Sequence, residues 1–112
     1  MKSRQTRAKT FNSKTAHVIV MRDGGCIFCK SGRWQGGDAY EKSIHDIVHI
    51  VNRSQGGLGI ETNGVYGCRY HHSLLDNGNK GYREEMLAYA KDYLRSLYPG
   101  WKEEDQIYNK YA

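Results

Sequence analysis

Cys26-Ile27-Phe28-Cys29 and, after a gap of 38 residues, Cys68-Arg69-Tyr70-His71-His72 frame the stretch whose reading decides the fold of this chain. All three cysteines lie in these two segments, and four of the five histidines lie between Cys26 and His72. A spacing of two residues lets both side chains of a knuckle reach one ion, and zinc accepts thiolate and imidazole tetrahedrally. Cys26, Cys29, Cys68 and His71 are therefore the expected ligands of a structural zinc. Three cysteines do not close into a disulfide framework, whereas a histidine completes a metal set. The separation between the knuckles exceeds that of a compact zinc finger, so a hairpin is expected in the insertion.

The composition explains why such a staple is needed. With 112 residues, 38% hydrophobic content and a mean hydropathy of −0.78, the chain reads as one small domain with a thin core. Domains of that kind lean on metals or disulfides. Zinc thiolates persist in a reducing compartment, which makes a cytoplasmic setting the expectation. No stretch approaches the ~20 apolar residues of a membrane span, and no apolar leader opens the chain. The net charge is +5. Lys2, Arg4, Arg7, Lys9 and Lys14 stand in the first sixteen residues without an acid, while the rest balances 12 basic against 12 acidic residues. An arm of this kind neutralises phosphates and releases counterions, so nucleic acid is the expected partner.

The expected organisation is a basic N-terminal arm over 1–15, a core over 16–78 and a helical extension of the same domain over 79–112. Ala16–Arg22 reads as a short helix broken by Asp23-Gly24-Gly25, and Ser31–Gly37 as a loop. Ile44–Val51 is rich in β-branched residues and reads as a strand. Asn52–Gly59 is a loop and Asn63–Gly67 the returning strand. A helix is expected from His71, interrupted near Asn77-Gly78. A second is expected over Tyr82–Leu97, where Met86, Ala90, Tyr93, Leu94 and Leu97 recur at helical spacing. Pro99-Gly100 ends it.

His49-Ile50-Val51-Asn52-Arg53-Ser54-Gln55-Gly56-Gly57, then Asn63, Cys68 and His72, resemble the HNH endonuclease family. His49 stands seven residues before Gly56, Asn63 five before Cys68, and eight residues separate Asn63 from His72. Flanking zinc knuckles are also common in that family. The resemblance covers roughly residues 16–78. The string Arg53-Ser54-Gln55-Gly56-Gly57-Leu58-Gly59-Ile60-Glu61 is similar to phage and prophage members. It implies a small α+β fold with a ββα-metal (His-Me finger) core, a structural zinc and flanking helices. It further implies a DNA endonuclease of low sequence specificity, with phage DNA-packaging proteins as partners.

Phosphodiester hydrolysis needs a nucleophile, a cation to hold developing charge and help for the leaving oxygen. A neutral imidazole accepts a proton near pH 7. By resemblance His49 is the general base, Asn63 ties the hairpin loop and orients it, and His72 binds the catalytic cation. Asp76 lies one helical turn after His72, so both reach one ion. Carboxylate ligation suits Mg or Mn, and the imidazole also admits Ni or Zn. Many family members carry Asp or His immediately before the base, where this chain has Val48. Asp46 is one substitute ligand, His45 another if the strand is irregular; otherwise His72 and Asp76 hold the ion with water and the phosphate. Arg53, Arg69 and Lys80 are the expected phosphate contacts. The alternative is a noncatalytic zinc module that binds nucleic acid.

Overall fold

The structure is a computed structural model, and it describes residues 3–77 and 80–109. Two five-residue strands form its sheet, β1 (His45–His49) and β2 (Gly64–Cys68), paired antiparallel with His45 opposite Cys68 and His49 opposite Gly64. Among the described residues six helices surround it: α1 (Arg4–Lys9), α2 (Ser13–Asp23), α3 (Ile27–Ser31), α4 (Ala39–Ser43), α5 (Arg69–Asn77) and α6 (Arg83–Leu97). The result is a small α+β fold.

Local chemistry sets the element ends. Asn12 caps α2, its Oδ1 accepting from the Thr15 N–H at 2.8 Å, and Gly24 closes the helix in the left-handed region at φ 70°. The first knuckle is itself a short helix: the Cys26 Sγ accepts from the Cys29 N–H at 3.3 Å. Asp38 caps α4 through the Glu41 N–H at 2.7 Å, so a short helix, in a stretch with no expected element, leads into β1.

The core is one cluster that includes Phe28, Val48, Val65, Leu75, Met86, Ala90 and Leu94. Met86, Ala90 and Leu94 line the buried face of α6, as their spacing implies. Its tyrosines serve the interior rather than an exposed stacking surface: Tyr89 packs edge-on to Trp34, and the Tyr93 hydroxyl donates to Asp23. Asp23 is buried and fully paired, accepting also from Arg22 and from the Tyr66 N–H. Arg22 continues to the Gly64 and Glu61 carbonyls at 2.7 and 2.8 Å, tying α2 to the start of β2.

The basic arm is folded where it is described. Ser3 caps α1, and Phe11 then crosses the sheet end. α5 starts at Arg69, two residues earlier than expected, and ends at Asn77; Gly78 and the 78/79 boundary lie outside the described residues, as does Lys2. Among the described residues the α-helical part of the C-terminal extension stops at Leu97. Beyond it, a 3-10 turn (Glu103–Gln106) leads into a short bridge between Ile107 and Gly57.

Candidate functional site

The two knuckles meet. The Sγ atoms of Cys26, Cys29 and Cys68 and the Nδ1 of His71 all lie within 4.8 Å of one another. Separations are 3.7 Å from Cys29 Sγ to Cys68 Sγ, and 3.2 to 3.7 Å from the three sulfurs to His71 Nδ1. Zinc bonds of ~2.3 Å to sulfur and ~2.0 Å to nitrogen give tetrahedral edges of roughly 3.5–3.8 Å. The donor set therefore fits a structural zinc in size as well as in chemistry. The Trp34 carbonyl lies 2.9 Å from His71 Nε2, so that nitrogen carries the proton and Nδ1 presents its lone pair to the sulfurs. Trp34 reaches this position with a backbone φ of 52°, and its indole N–H is anchored on Glu85 at 2.5 Å.

Three thiols in one small space do not all ionise without a cation. Burial pushes Cys26 up, but the His71 contact and backbone N–H groups outweigh it and bring its thiol down to about 6. Burial and the charge on Cys26 push Cys29 up to about 12, and burial raises Cys68. A divalent ion in the cluster relieves that mutual repulsion.

Asn63 is wholly buried and ties the hairpin together. Its Oδ1 accepts from the Val51 N–H at 2.8 Å, and its Nδ2 donates to the Val51 and Leu58 carbonyls at 3.2 and 2.8 Å. These bonds fix the loop that follows β1. Gly57 is needed there because a Cβ would lie 1.7 Å from the Val51 carbonyl oxygen. The far side of the loop is fastened by the Leu58 N–H to the Gln106 carbonyl and by the Tyr108 N–H to the Gly56 carbonyl.

An open groove of about 470 Å³ lies between this loop, β1 and α5, lined by Ile47, His49, Asn52, Arg53, Ser54, His72 and Asp76. His49 Nε2 is 2.8 Å from the Lys9 carbonyl. A carbonyl only accepts, so Nε2 is protonated and Nδ1 is the acceptor of the neutral ring. Burial holds the His49 pKa below its ordinary value, with further help from the positive charge of Arg53 and His72. The imidazole is thus uncharged at neutral pH.

His72 stands between two carboxylates. Its Nδ1 is 3.0 Å from Asp46 Oδ2, and its Nε2 is 3.1 Å from Asp76 Oδ2, one helical turn on. One ion does not coordinate both nitrogens of a ring, so Asp46 and Asp76 serve opposite sides of His72. Asp46 also receives two bonds from Arg69 at 2.9 and 3.0 Å, and Arg69 followed by His72 holds its carboxyl below the usual range. His45 is engaged elsewhere, stacked on Tyr66 with ring centroids 4.8 Å apart. Val48 is 1% exposed, packs beside Gly67 and joins the same core cluster as Phe28, so this strand position belongs to the core.

The structure thus gathers His49, Arg53, His72 and Asp76 around one groove, with Asp46 and Arg69 in the adjoining depression beside His72. Lys80 lies outside both, in a smaller hollow with Glu41 and Tyr70. Lys9, expected only as a charge of the basic arm, and Phe11, to which the sequence assigns no role, both touch His49; the signal for the latter is a lone aromatic at the end of the basic run. Among the described residues, no helix is long and apolar enough to cross a membrane. Comparison with protein-family models, with curated proteins and with solved structures finds no match for this chain.

Proposed function

We propose that the chain is a metal-dependent DNA endonuclease of the ββα-metal type, in which β1, β2 and α5 supply the catalytic unit and the Cys3His centre braces it. The observation that carries this reading is the placement of a neutral histidine, with one nitrogen already committed, in the same groove as the His72–Asp76 pair. His49 Nδ1 takes a proton from water as it attacks the phosphate. His72 Nε2 and an Asp76 oxygen are the donors that would hold a hard divalent cation such as Mg or Mn; Ni or Zn also suits the imidazole. When bound, the cation stabilises the charge that develops on the phosphoryl oxygens and the leaving oxygen. Asp46 accepts from the Nδ1–H of His72, which orients the ring and makes Nε2 a better ligand. In this role the carboxylate acts through the histidine, so Val48 is free to pack. Arg53, exposed on the loop after His49, contacts a substrate phosphate, and Arg69 holds Asp46 in place.

Among the described residues the groove is lined by short elements and a loop rather than by a helix placed to enter the major groove, which favours low sequence specificity. A role in phage DNA processing, beside packaging proteins, rests on the sequence resemblance alone. The competing reading is a zinc module that binds nucleic acid without cutting, and the buried Val48 is what favours it. Supercoiled plasmid incubated with the protein and Mg or Mn separates the two. Nicked or linear product that disappears in His49→Ala supports the nuclease; retention of DNA without cutting in any divalent metal supports the module.

A further inference from the structure

The N-terminal segment touches the one groove histidine that carries no metal-binding assignment. Lys9 presents its carbonyl to His49 Nε2, and the Phe11 ring packs against the imidazole, tilted by 42° with centroids 4.3 Å apart. The same segment is fastened independently. The Gly59 N–H donates to the Ala8 carbonyl at 2.9 Å, and Phe11 packs onto Gly64, where a Cβ would fall 2.7 Å from its ring. The contact is close enough that a Cβ on Gly59 would fall 2.3 Å from the Thr10 carbonyl carbon and 2.5 Å from the Phe11 nitrogen. Arg53 reaches the Thr10 hydroxyl across the same junction. A tail that served only to attract phosphates would need none of these contacts.

We propose that Lys9–Phe11 is a positioning element that completes the groove: it holds the His49 ring by its Nε2–H and by contact with the tilted Phe11 ring, so that Nδ1 meets the reacting water in one orientation. The site is therefore split in sequence, its base on β1 and the clamp of that base about 40 residues earlier. The kinetic part of this inference rests on the nuclease reading, while the structural part does not.

The test uses the zinc-loaded full chain with 15N-labelled histidine. An imidazole N–H held by a carbonyl exchanges slowly and gives a one-bond 15N–1H correlation, whereas a free one does not. The signals that matter come from His49 and from His71, each assigned by its loss in the matching His→Gln variant; any from His45, 3.2 Å from the Ser43 carbonyl, or from His72, 3.0 Å from Asp46, are set apart in the same way. Gly59→Ala, which pushes the segment off the loop, should abolish the His49 signal and leave that of His71. Phe11→Leu keeps apolar bulk and should weaken the His49 signal, while Phe11→Tyr keeps the ring and should restore it. In cleavage assays Gly59→Ala should lower kcat about 100-fold and Phe11→Leu about 10-fold, with the half-saturating DNA concentration unchanged. If Gly59→Ala also loses the His71 signal, it has lost its fold and the Phe11 pair decides. A His49 signal that persists in both Gly59→Ala and Phe11→Leu overturns the proposal, as does its absence from the parent protein beside an intact His71 signal. If the parent cuts no DNA while the signals behave as expected, the nuclease reading falls and the positioning role stands.

Discussion

His71 and His72 are neighbours on α5, yet they belong to regions built on opposite rules. The Cys3His centre is packed shut: His71 is 2% exposed and each of its nitrogens has a fixed partner. The groove is open, and the His72 side chain, 30% exposed, sits between carboxylates that water also reaches. Adjacent residues on a helix point about 100° apart, so one faces the core and the next the solvent. The difference teaches that an imidazole's role is set by what surrounds it. Enclosed by sulfurs it completes a structural clip; beside acids at a surface it remains free to exchange ligands.

Removing the metal from the closed region should break the comparison altogether. Chelation, or Cys68→Ser, takes away binding energy that is also folding energy, on the order of 10 kcal/mol. Far-ultraviolet circular dichroism should show cooperative unfolding, and the groove should vanish with the centre. An apo protein that melts as the loaded one does would remove the zinc assignment. His49→Ala should do the reverse. Plasmid cleavage should fall by about 10²–10⁴-fold, the range of general base catalysis, while zinc content and Tm stay near those of the parent.

Asn63→Ala stands between these extremes, because Asn63 belongs to the groove by position and to the interior by burial. It strands the buried Val51 N–H and leaves two carbonyls without their donor, at a cost of about 3 kcal/mol in thermal or urea unfolding. Activity should fall with it as the loop loosens.

The acid dependence should also differ between the two regions. The folded-state pKa of His49 lies below its unfolded value, so the neutral ring persists as pH falls past ~6.5 and is lost only lower down. The acid limb of the cleavage profile should therefore lie below that value. Arg53→Ala removes one of the positive charges that depress it, and should move the limb upward by a fraction of a pH unit, the smallest effect in this series.

The closed region was the more legible from sequence. Knuckle spacing identifies Cys26, Cys29, Cys68 and His71 because metal geometry restricts which spacings work, and the pairing of β1 with β2 follows from the β-branched run and the returning Asn63–Gly67 segment. The groove was legible only in part. His72 and Asp76 share a helical face by periodicity, but the engagement of Asp46 with Nδ1 depends on the register of His45 opposite Cys68, which no local pattern fixes. Strand alternation placed Asp46 on the face of Val48, yet one packs in the core and the other reaches α5, because Asp46 lies near the strand end where Arg69 and His72 turn toward it. Helix α1 and the Phe11 contact escaped for a related reason. A basic run in isolation has no apolar periodicity, and its structure comes from the surface it meets.

The insertion between the knuckles would give a zinc held by them a kinetic consequence. β1, the loop after it and nearly all of β2 lie within the 38 residues that separate Cys29 from Cys68. A cross-link over that span removes about 4 kcal/mol of chain entropy from the unfolded state in the loop-closure picture, and a metal clip constrains the unfolded chain in the same manner. Once the knuckles share an ion, strands that were distant along the contour become near neighbours in a closed ring, and their pairing needs only a local search. Metal uptake would then act as a timing step during synthesis, and the groove would come into being only after the ring has closed.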